Sequence, residues 1–448
     1  MFNLSQLSRI IDSTSNKDLI LTESEILVKG ISTDTRFLEP GFVFLALRGT
    51  HFDGHHFAEV AVNKGASALI VEENISVKLP NSIPQFIVKN THQTYQQIAY
   101  WWRKQLSIPV IGITGSVGKT TTKELVAGVC ATSGKVQKTQ LNYNNEIGVP
   151  KTLLGISLED DYAVIEMGMR AKGEIALLTQ ITSPTIGIIT NVGTAHIGRL
   201  GSREAIAEAK CELLANMDSS SIAILNQDNP LLSKTAKQVW SGETITYGLE
   251  GGDLKGELIN NMTMRVEGRD FLLPLPGRHN AANYLAALAV AKVLGIDWGI
   301  LQKGIALDLP EGRAQRYLLA NDILLLDETY NAGLESMLAA LDLLKETPGE
   351  RYIAVLGAMK ELGNHTQQLH QQVGEKAKML ALDTLFVLTS DPEAEAILEG
   401  AVGLNTIKCS TKEELIMALQ ETMRPGDRIL FKASHSVGLS QVVEKLRS

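Results

Sequence analysis

Residues 110–124, VIGITGSVGKTTTKE, are the stretch on which the fold turns. They read as an apolar strand, a glycine-rich turn ending in Gly118-Lys119-Thr120, and a helix that opens at once. Backbone N–H groups of such a turn can cradle phosphate oxygens at the positive end of the helix. Lys119 is placed to neutralise β/γ charge, and the Thr120 hydroxyl to ligate Mg²⁺. The loop Thr114, Gly115, Ser116, Val117, Gly118, Lys119, Thr120 and Thr121 is therefore the candidate site for a ligand's phosphates. The longer form of the motif asks for Gly where Ile113 stands, so the shorter TGxxGKT form is the one met. The bland alternative is a strand-to-helix turn with an incidental Gly-Lys-Thr; the strand–turn–helix context favours phosphate.

Outward from this loop, apolar runs alternate with helical stretches. YAVIEM (162–167), TIGIITNV (185–192) and SIAILN (221–226) read as strands and 203–216 as a helix, which predicts a central domain of parallel βαβ units. On the N-terminal side, FVFLAL (42–47), SALIV (67–71) and QFIVK (85–89), with the helical FAEVAVNKG between the first two, suit a small α/β unit. A helix over 95–105 leads to Ile108-Pro109, where the pattern changes. On the C-terminal side, DILLLD, YIAVLG, TLFVLT and RILFKA, each followed by a helical segment, predict a third, Rossmann-like domain. The expected division is 1–106, 107–312 and 313–448, an α/β protein of three domains, with EGGDLKGE (250–257) a solvated turn.

The 448 residues leave room for three cores, at about 150 residues per domain. A net charge of −8 and no long basic run disfavour nucleic-acid binding by charge. Cys130, Cys211 and Cys409 are widely spaced with no CxxC pair, against both a disulfide framework and structural zinc. The N-terminal MFNLSQLSRIIDSTSNKDL has no basic-then-apolar pattern, and no later window reaches the 18 or so apolar residues of a membrane span, so the expectation is a soluble, cytoplasmic protein. No Ser/His/Asp or Cys/His set suggests a protein nucleophile.

Beyond the loop, Glu166 ends a strand at the ligand edge of the sheet and suits Mg²⁺, although a strand-end carboxylate facing water is the commoner case. His196, in TNVGTAHIG, could complete a metal shell or merely pack. Lys210, beside Glu208 and Glu212 at the apolar border of its helix, reads by spacing alone as a surface lysine that snorkels.

Taken together these residues resemble the Mur ligases, ATP-dependent amide-bond synthetases of bacterial cell-wall precursor assembly. The resemblance runs in order through STDTR with PGFVFLALRGTHFDGHHF (32–57), TGSVGKTT (114–121), LNYNNEIGVP (141–150), EMGM (166–169), NVGTAHIG (191–198), AEAKCE (207–212), GRHNAANYLAA (277–287), GRAQRY (312–317) and DETYNAGLESM (327–337). It is strongest to the type that joins UDP-N-acetylmuramoyl-tripeptide to D-alanyl-D-alanine. The resemblance implies Lys119 on the γ-phosphate, Thr120 and Glu166 on one Mg²⁺, His196 on a second, and Lys210 carrying a CO₂-derived carbamate that helps hold the second ion. It assigns Asn280 to adenine, and Arg313 and Asp327 to groups that close on phosphates and ribose. Ser32, Thr33, Asp34, Arg36 and Asp53 fall on the UDP-sugar side, Asn144 and Asn145 on the central substrate side, and Tyr330 and Asn331 toward the dipeptide.

The family pattern is left at three places: YNANP is here Tyr330-Asn331-Ala332-Gly333-Leu334, an Asp is replaced by Ala358, and KGSR by Lys432-Ala433-Ser434-His435. The implied reaction activates a carboxylate as an acyl phosphate, which an amine then attacks, in a monomer with hinged domains. Two alternatives stand beside it: a Mur-type or folylpolyglutamate-type ligase with a different amine, and a P-loop nucleotide switch that ligates nothing.

Overall fold

The computed structural model describes residues 2–11, 26–75 and 83–447; residues 1 and 12–19 of the N-terminal stretch lie outside them. Three main sheets run along the chain among the described residues. The first is parallel and four-stranded, Gly30–Ser32, Phe42–Leu45, Ala68–Val71 and Gln85–Ile87 in spatial order. Both faces are covered, as the unbroken burial of Ala68–Val71 requires.

The helix Thr91–Lys104 then joins this unit to the next. Asn90 caps its start by accepting from the Gln93 N–H. Its far end is tied to the central domain: Trp102 Nε1 donates to the Ile156 carbonyl at 2.9 Å, and Arg103 donates to the carbonyls of Thr182 and Ser183, each at 3.0 Å. Arg103 is buried, so these bonds satisfy a guanidinium that would otherwise be costly to desolvate.

The second sheet places Val110–Thr114 between Ile186–Ile189 and Tyr162–Glu166, all parallel. Ile113, the residue that breaks the longer loop motif, is fully buried in this strand, where a core side chain is needed. Parallel pairing continues through Ile222–Asn226, Thr244–Gly248 and Leu254–Asn260. The last of these corrects the second half of the solvated-turn reading of 250–257: residues 250–253 do form a largely exposed turn, but Leu254 and Gly256 are buried in a strand. Two antiparallel strands, Thr263–Val266 and Arg269–Leu272, extend that edge, an addition the βαβ pattern does not contain.

The third sheet runs Gln315–Leu318, Leu324–Asp327, Asp427–Lys432, Arg351–Leu356, Thr384–Leu388 and Thr406–Cys409. It is parallel except for its first strand, which pairs antiparallel with Leu324–Asp327. The three cysteines are buried, and burial pushes the thiols of Cys130 and Cys211 up to about 12, so neither supplies a thiolate. No helix among the described residues is long and apolar enough to cross a membrane.

Candidate functional site

At the loop between Val110–Thr114 and the helix Lys119–Cys130, geometry demands glycine: Gly115 has φ +155°, and a Cβ there would lie 1.9 Å from Thr190 Oγ1. The end of the neighbouring strand grips the loop. Asn191 Nδ2 donates to the Val117 carbonyl and its Oδ1 accepts the Val117 N–H, both at 3.0 Å, while Thr190 Oγ1 donates to the same carbonyl at 2.7 Å. Ser116 N–H donates to the Asn191 carbonyl at 3.1 Å, and Ser116 Oγ accepts from Gly193 N–H at 2.9 Å.

The backbone N–H groups of Ser116 and Val117 are therefore spent on bracing, and the phosphate-cradle reading narrows accordingly. The N–H groups of Gly118, Lys119, Thr120 and Thr121 keep no acceptor among the described residues, as expected of a helix N-terminus. Lys119 Nζ folds over the loop, donating to the carbonyls of Gly115 at 2.7 Å and Ser116 at 3.3 Å. Burial lowers its pKa, the Glu166 charge opposes that, and Arg313 adds to it.

Glu166 lies across from Ile113 in register, one strand from the loop. Its Oε1 accepts from Asn144 Nδ2 at 2.7 Å, whereas its buried Oε2 has no partner, nor has the buried Thr114 hydroxyl. A buried carboxylate oxygen without a donor fits a hard cation with oxygen ligands, and Thr120 at the start of the next helix is buried as well. His196 stands on the other flank of the loop strand, at φ +64° where the short helix Ile197–Leu200 begins. Its pKa is lowered by burial and by the charges of Lys119 and Lys210, against the pull of Glu361.

Lys210 corrects the snorkelling expectation: it is 1% exposed in the helix Arg203–Ala215, with no hydrogen bond or ion pair among the described residues. Burial, then the charge of Lys119, lowers its pKa well below the ordinary lysine value. Lys119 thus acts on both His196 and Lys210, so the three groups share one neighbourhood, faced by the carboxylates of Glu166, Glu335 and Glu361. No ready-made cluster of three His, Cys, Asp or Glu exists among the described residues.

From the third domain, Arg313 lays its guanidinium 4.1 Å over the Tyr330 ring, and its buried Nε has no partner. Tyr330 also faces the His435 ring at 6.1 Å. Asp327 is buried, with Oδ1 accepting from Thr329 N–H and Oγ1 at 3.0 and 2.6 Å. Asn331 gives its carbonyl to Lys432 Nζ at 2.9 Å, and burial lowers Lys432 to about 8. Asn280, buried at the start of Arg278–Leu294, donates to the Pro276 carbonyl at 2.8 Å.

In the first domain, Ser32 Oγ donates to the Asp34 carbonyl at 2.8 Å, and Asp34 pairs with the exposed Arg36 at 2.6 Å; Thr33 is half-buried beside them. Lys151 lies over Phe37 at 5.6 Å and over Tyr143 at 4.2 Å, which links this segment to the strip holding Asn144 and Asn145. Asn145 Oδ1 accepts from the N–H of Gly148, the first residue of the helix Gly148–Leu154, at 2.9 Å, and its neighbour Asn144 donates to Glu166. For Asp53, burial acts upward but is outweighed by hydrogen bonds from His55 and Arg48, which leave its carboxyl at about 2.

Three residues at the site escape a motif reading. Asn191 sits in the quoted NVGTAHIG, but its role requires the neighbouring strand to be known. Glu335 accepts from Thr194 N–H at 2.7 Å, and Glu361 from His196 Nδ1 at 2.6 Å, contacts that span 141 and 165 residues of sequence.

Comparison with known proteins agrees with this architecture. Residues 27–110 match the model described as Mur ligase family, catalytic domain; 113–291 match Mur ligase middle domain; and 312–435 match Mur ligase, glutamate ligase domain. A UDP-N-acetylmuramoyl-tripeptide--D-alanyl-D-alanine ligase of Synechocystis is 56% identical over 94% of this chain and 92% of its own length. The crystal structure of MurF from Acinetobacter baumannii superposes with a TM-score of 0.89 at 32% identity, covering 100% of this chain and 98% of that one. MurF from Thermotoga maritima, solved in complex with ADP, gives 0.83 at 32% identity over 94% and 98%.

Proposed function

The chain belongs to the Mur ligase family, and from that premise we propose that it joins D-alanyl-D-alanine to UDP-N-acetylmuramoyl-tripeptide, with ATP cleaved to ADP and phosphate, in peptidoglycan precursor synthesis. The observation that carries this reading is the braced loop with four acceptor-free N–H groups, lying beside Lys119 and the unpartnered Glu166 oxygen.

The chemistry sets what these groups must do. A carboxylate does not condense with an amine in water because oxide is too poor a leaving group. The tripeptide carboxylate oxygen therefore attacks the γ-phosphorus, the bond to ADP breaks, and an acyl phosphate forms. The dipeptide amine attacks its carbonyl carbon, and the tetrahedral intermediate collapses with loss of phosphate, the amine proton passing to solvent. Lys119 and the N–H groups of 118–121 offset the repulsion between carboxylate and triphosphate and stabilise charge as it moves to the leaving oxygen. Mg²⁺, when bound, would add charge neutralisation; Glu166 and Thr120 would hold one ion, and His196 with modified Lys210 a second.

Lys210 supports a carbamate on its own physical chemistry. Only an uncharged amine attacks CO₂, losing one proton to solvent as the N–C bond forms. Burial and the Lys119 charge favour that uncharged form. The product is an anion in the field of the Lys119 charge, with the Glu335 carboxylate acting against it.

In this reading residues 1–106 hold the UDP end, 107–312 hold ATP, and 313–448 hold the dipeptide and close over the centre, in a cytoplasmic monomer. Ser32, Thr33, Asp34, Arg36 and Asp53 face the nucleotide sugar; Asn280, Arg313 and Asp327 face ATP; Tyr330 and Asn331 face the incoming amine. The test is mass spectrometry of products from ATP, Mg²⁺ and a UDP-muramyl-tripeptide carrying lysine or diaminopimelate, with D-alanyl-D-alanine or single amino acids as amine. The expected product is the D-alanyl-D-alanine amide. An amide formed only with a free amino acid would point to another ligase type, and ATP hydrolysis without product to a nucleotide switch.

A further inference from the structure

The segment Gly193–Arg199, which carries His196, is gripped from the third domain by two carboxylates. Glu335, near the start of the helix Leu334–Glu346, accepts from both Thr194 N–H and Thr194 Oγ1, at 2.7 and 3.1 Å. Glu361 uses both oxygens: Oε2 accepts from His196 Nδ1 at 2.6 Å and Oε1 from Arg199 at 3.1 Å. Its carbonyl also accepts from Gly198 N–H at 3.2 Å. The backbones are in direct contact here, since a Cβ on Gly198 would lie 2.5 Å from Gly363 N and 2.8 Å from the Glu361 carbonyl oxygen. Glu361 itself adopts φ +64°, a left-handed conformation that a non-glycine residue holds only where its surroundings impose it.

We propose that Glu335 and Glu361 form a two-point latch that shuts the third domain on the His196 segment, and that Glu361 is a positioning residue for His196. With the Nδ1 proton donated to Glu361, the imidazole is fixed in rotation and in tautomer, and Nε2 is the nitrogen left with a lone pair. That partner comes from another domain, so His196 is correctly set only when the domain is shut. Closure and assembly of the site are one event. The second half of this inference rests on the ligase reading, in which His196 holds a metal; the latch itself does not.

Small-angle scattering of the full chain without ligands tests the latch. The wild type should give the compact profile expected of this arrangement, and both Glu335→Ala/Glu361→Ala and Gly198→Ala, which wedges the contact, should give a larger radius of gyration. A wild type already extended, or a double variant as compact as the wild type, would overturn it.

Steady-state kinetics tests the positioning role. Glu361→Ala should lower kcat about 10–100-fold, the usual cost of losing the partner of a metal-binding histidine, with KM for ATP changed less than threefold. Glu361→Gln, whose amide oxygen still accepts from Nδ1, should recover most of that loss. Equal kcat for the Ala and Gln variants, or an Ala variant within twofold of wild type, would sink the positioning role. If the wild type forms no amide product at all, the ligase reading falls, and the scattering result still decides the latch.

Discussion

Around the phosphate loop, every bracing partner comes from the central domain: Asn191, Thr190 and Gly193 hold Val117 and Ser116 through short bonds in a largely buried setting. The loop is therefore shaped before ATP arrives. Across the cleft, the third domain reaches the same region in part through long side chains that are partly wet: that of Glu361 is 34% exposed, and its partner, Arg199 of the central domain, 52%. Ion pairs of that kind contribute little to stability, roughly 0–1 kcal/mol each. One region is built to be ready, and the other to engage and release. An acyl phosphate that must be made, shielded and then discharged needs both.

Substitutions can break this contrast. The largest effect is expected for Lys119→Ala, with a loss of about 10³-fold or more in kcat/KM for ATP, roughly 4 kcal/mol of transition-state stabilisation. Thermal stability should hold, because Lys119 Nζ bonds only loop carbonyls. ADP release and a melting curve on one preparation check both. Lys210→Ala should likewise abolish turnover, and wild-type protein under ¹³CO₂ should show a carbamate ¹³C resonance that the variant lacks. A variant with near-normal rate would remove the carbamate from the account.

Asn191→Ala tests whether bracing is intrinsic to the central domain. It frees the Val117 N–H and leaves the Val117 carbonyl to Thr190 Oγ1 alone, and a fall of about tenfold to a hundredfold in kcat/KM is expected, with scattering unchanged. Arg313→Lys should act least, raising KM for ATP about threefold to tenfold, since an ammonium keeps the charge but loses the planar stacking on Tyr330. If Asn191→Ala opened the domains, or Arg313→Lys matched Lys119→Ala, the division between the two regions would fail.

What the sequence made legible follows the same division. The phosphate loop could be read because strand, turn and helix are contiguous over 110–124, and the strand ends bearing Glu166 and Asn191 follow from apolar runs that period and length identify. Lys210 could not be read by spacing. Its helix has an apolar border, and full burial comes only from packing against other elements. The antiparallel strands Thr263–Val266 and Arg269–Leu272 escaped because their short, mixed-polarity runs carry a weak period-2 signal. Glu335 lies within a quoted motif and Glu361 within none, and neither was legible as a partner of Thr194 or His196, because no local rule joins positions so distant in sequence.

The acyl phosphate is the point on which the account stands. The direct measurement uses UDP-muramyl-tripeptide labelled with ¹⁸O in its terminal carboxylate, with ATP, Mg²⁺ and D-alanyl-D-alanine, and mass analysis of the phosphate released. One carboxylate-derived oxygen in each phosphate and one ADP per amide formed are expected. Phosphate carrying no label while amide accumulates would contradict the acyl phosphate.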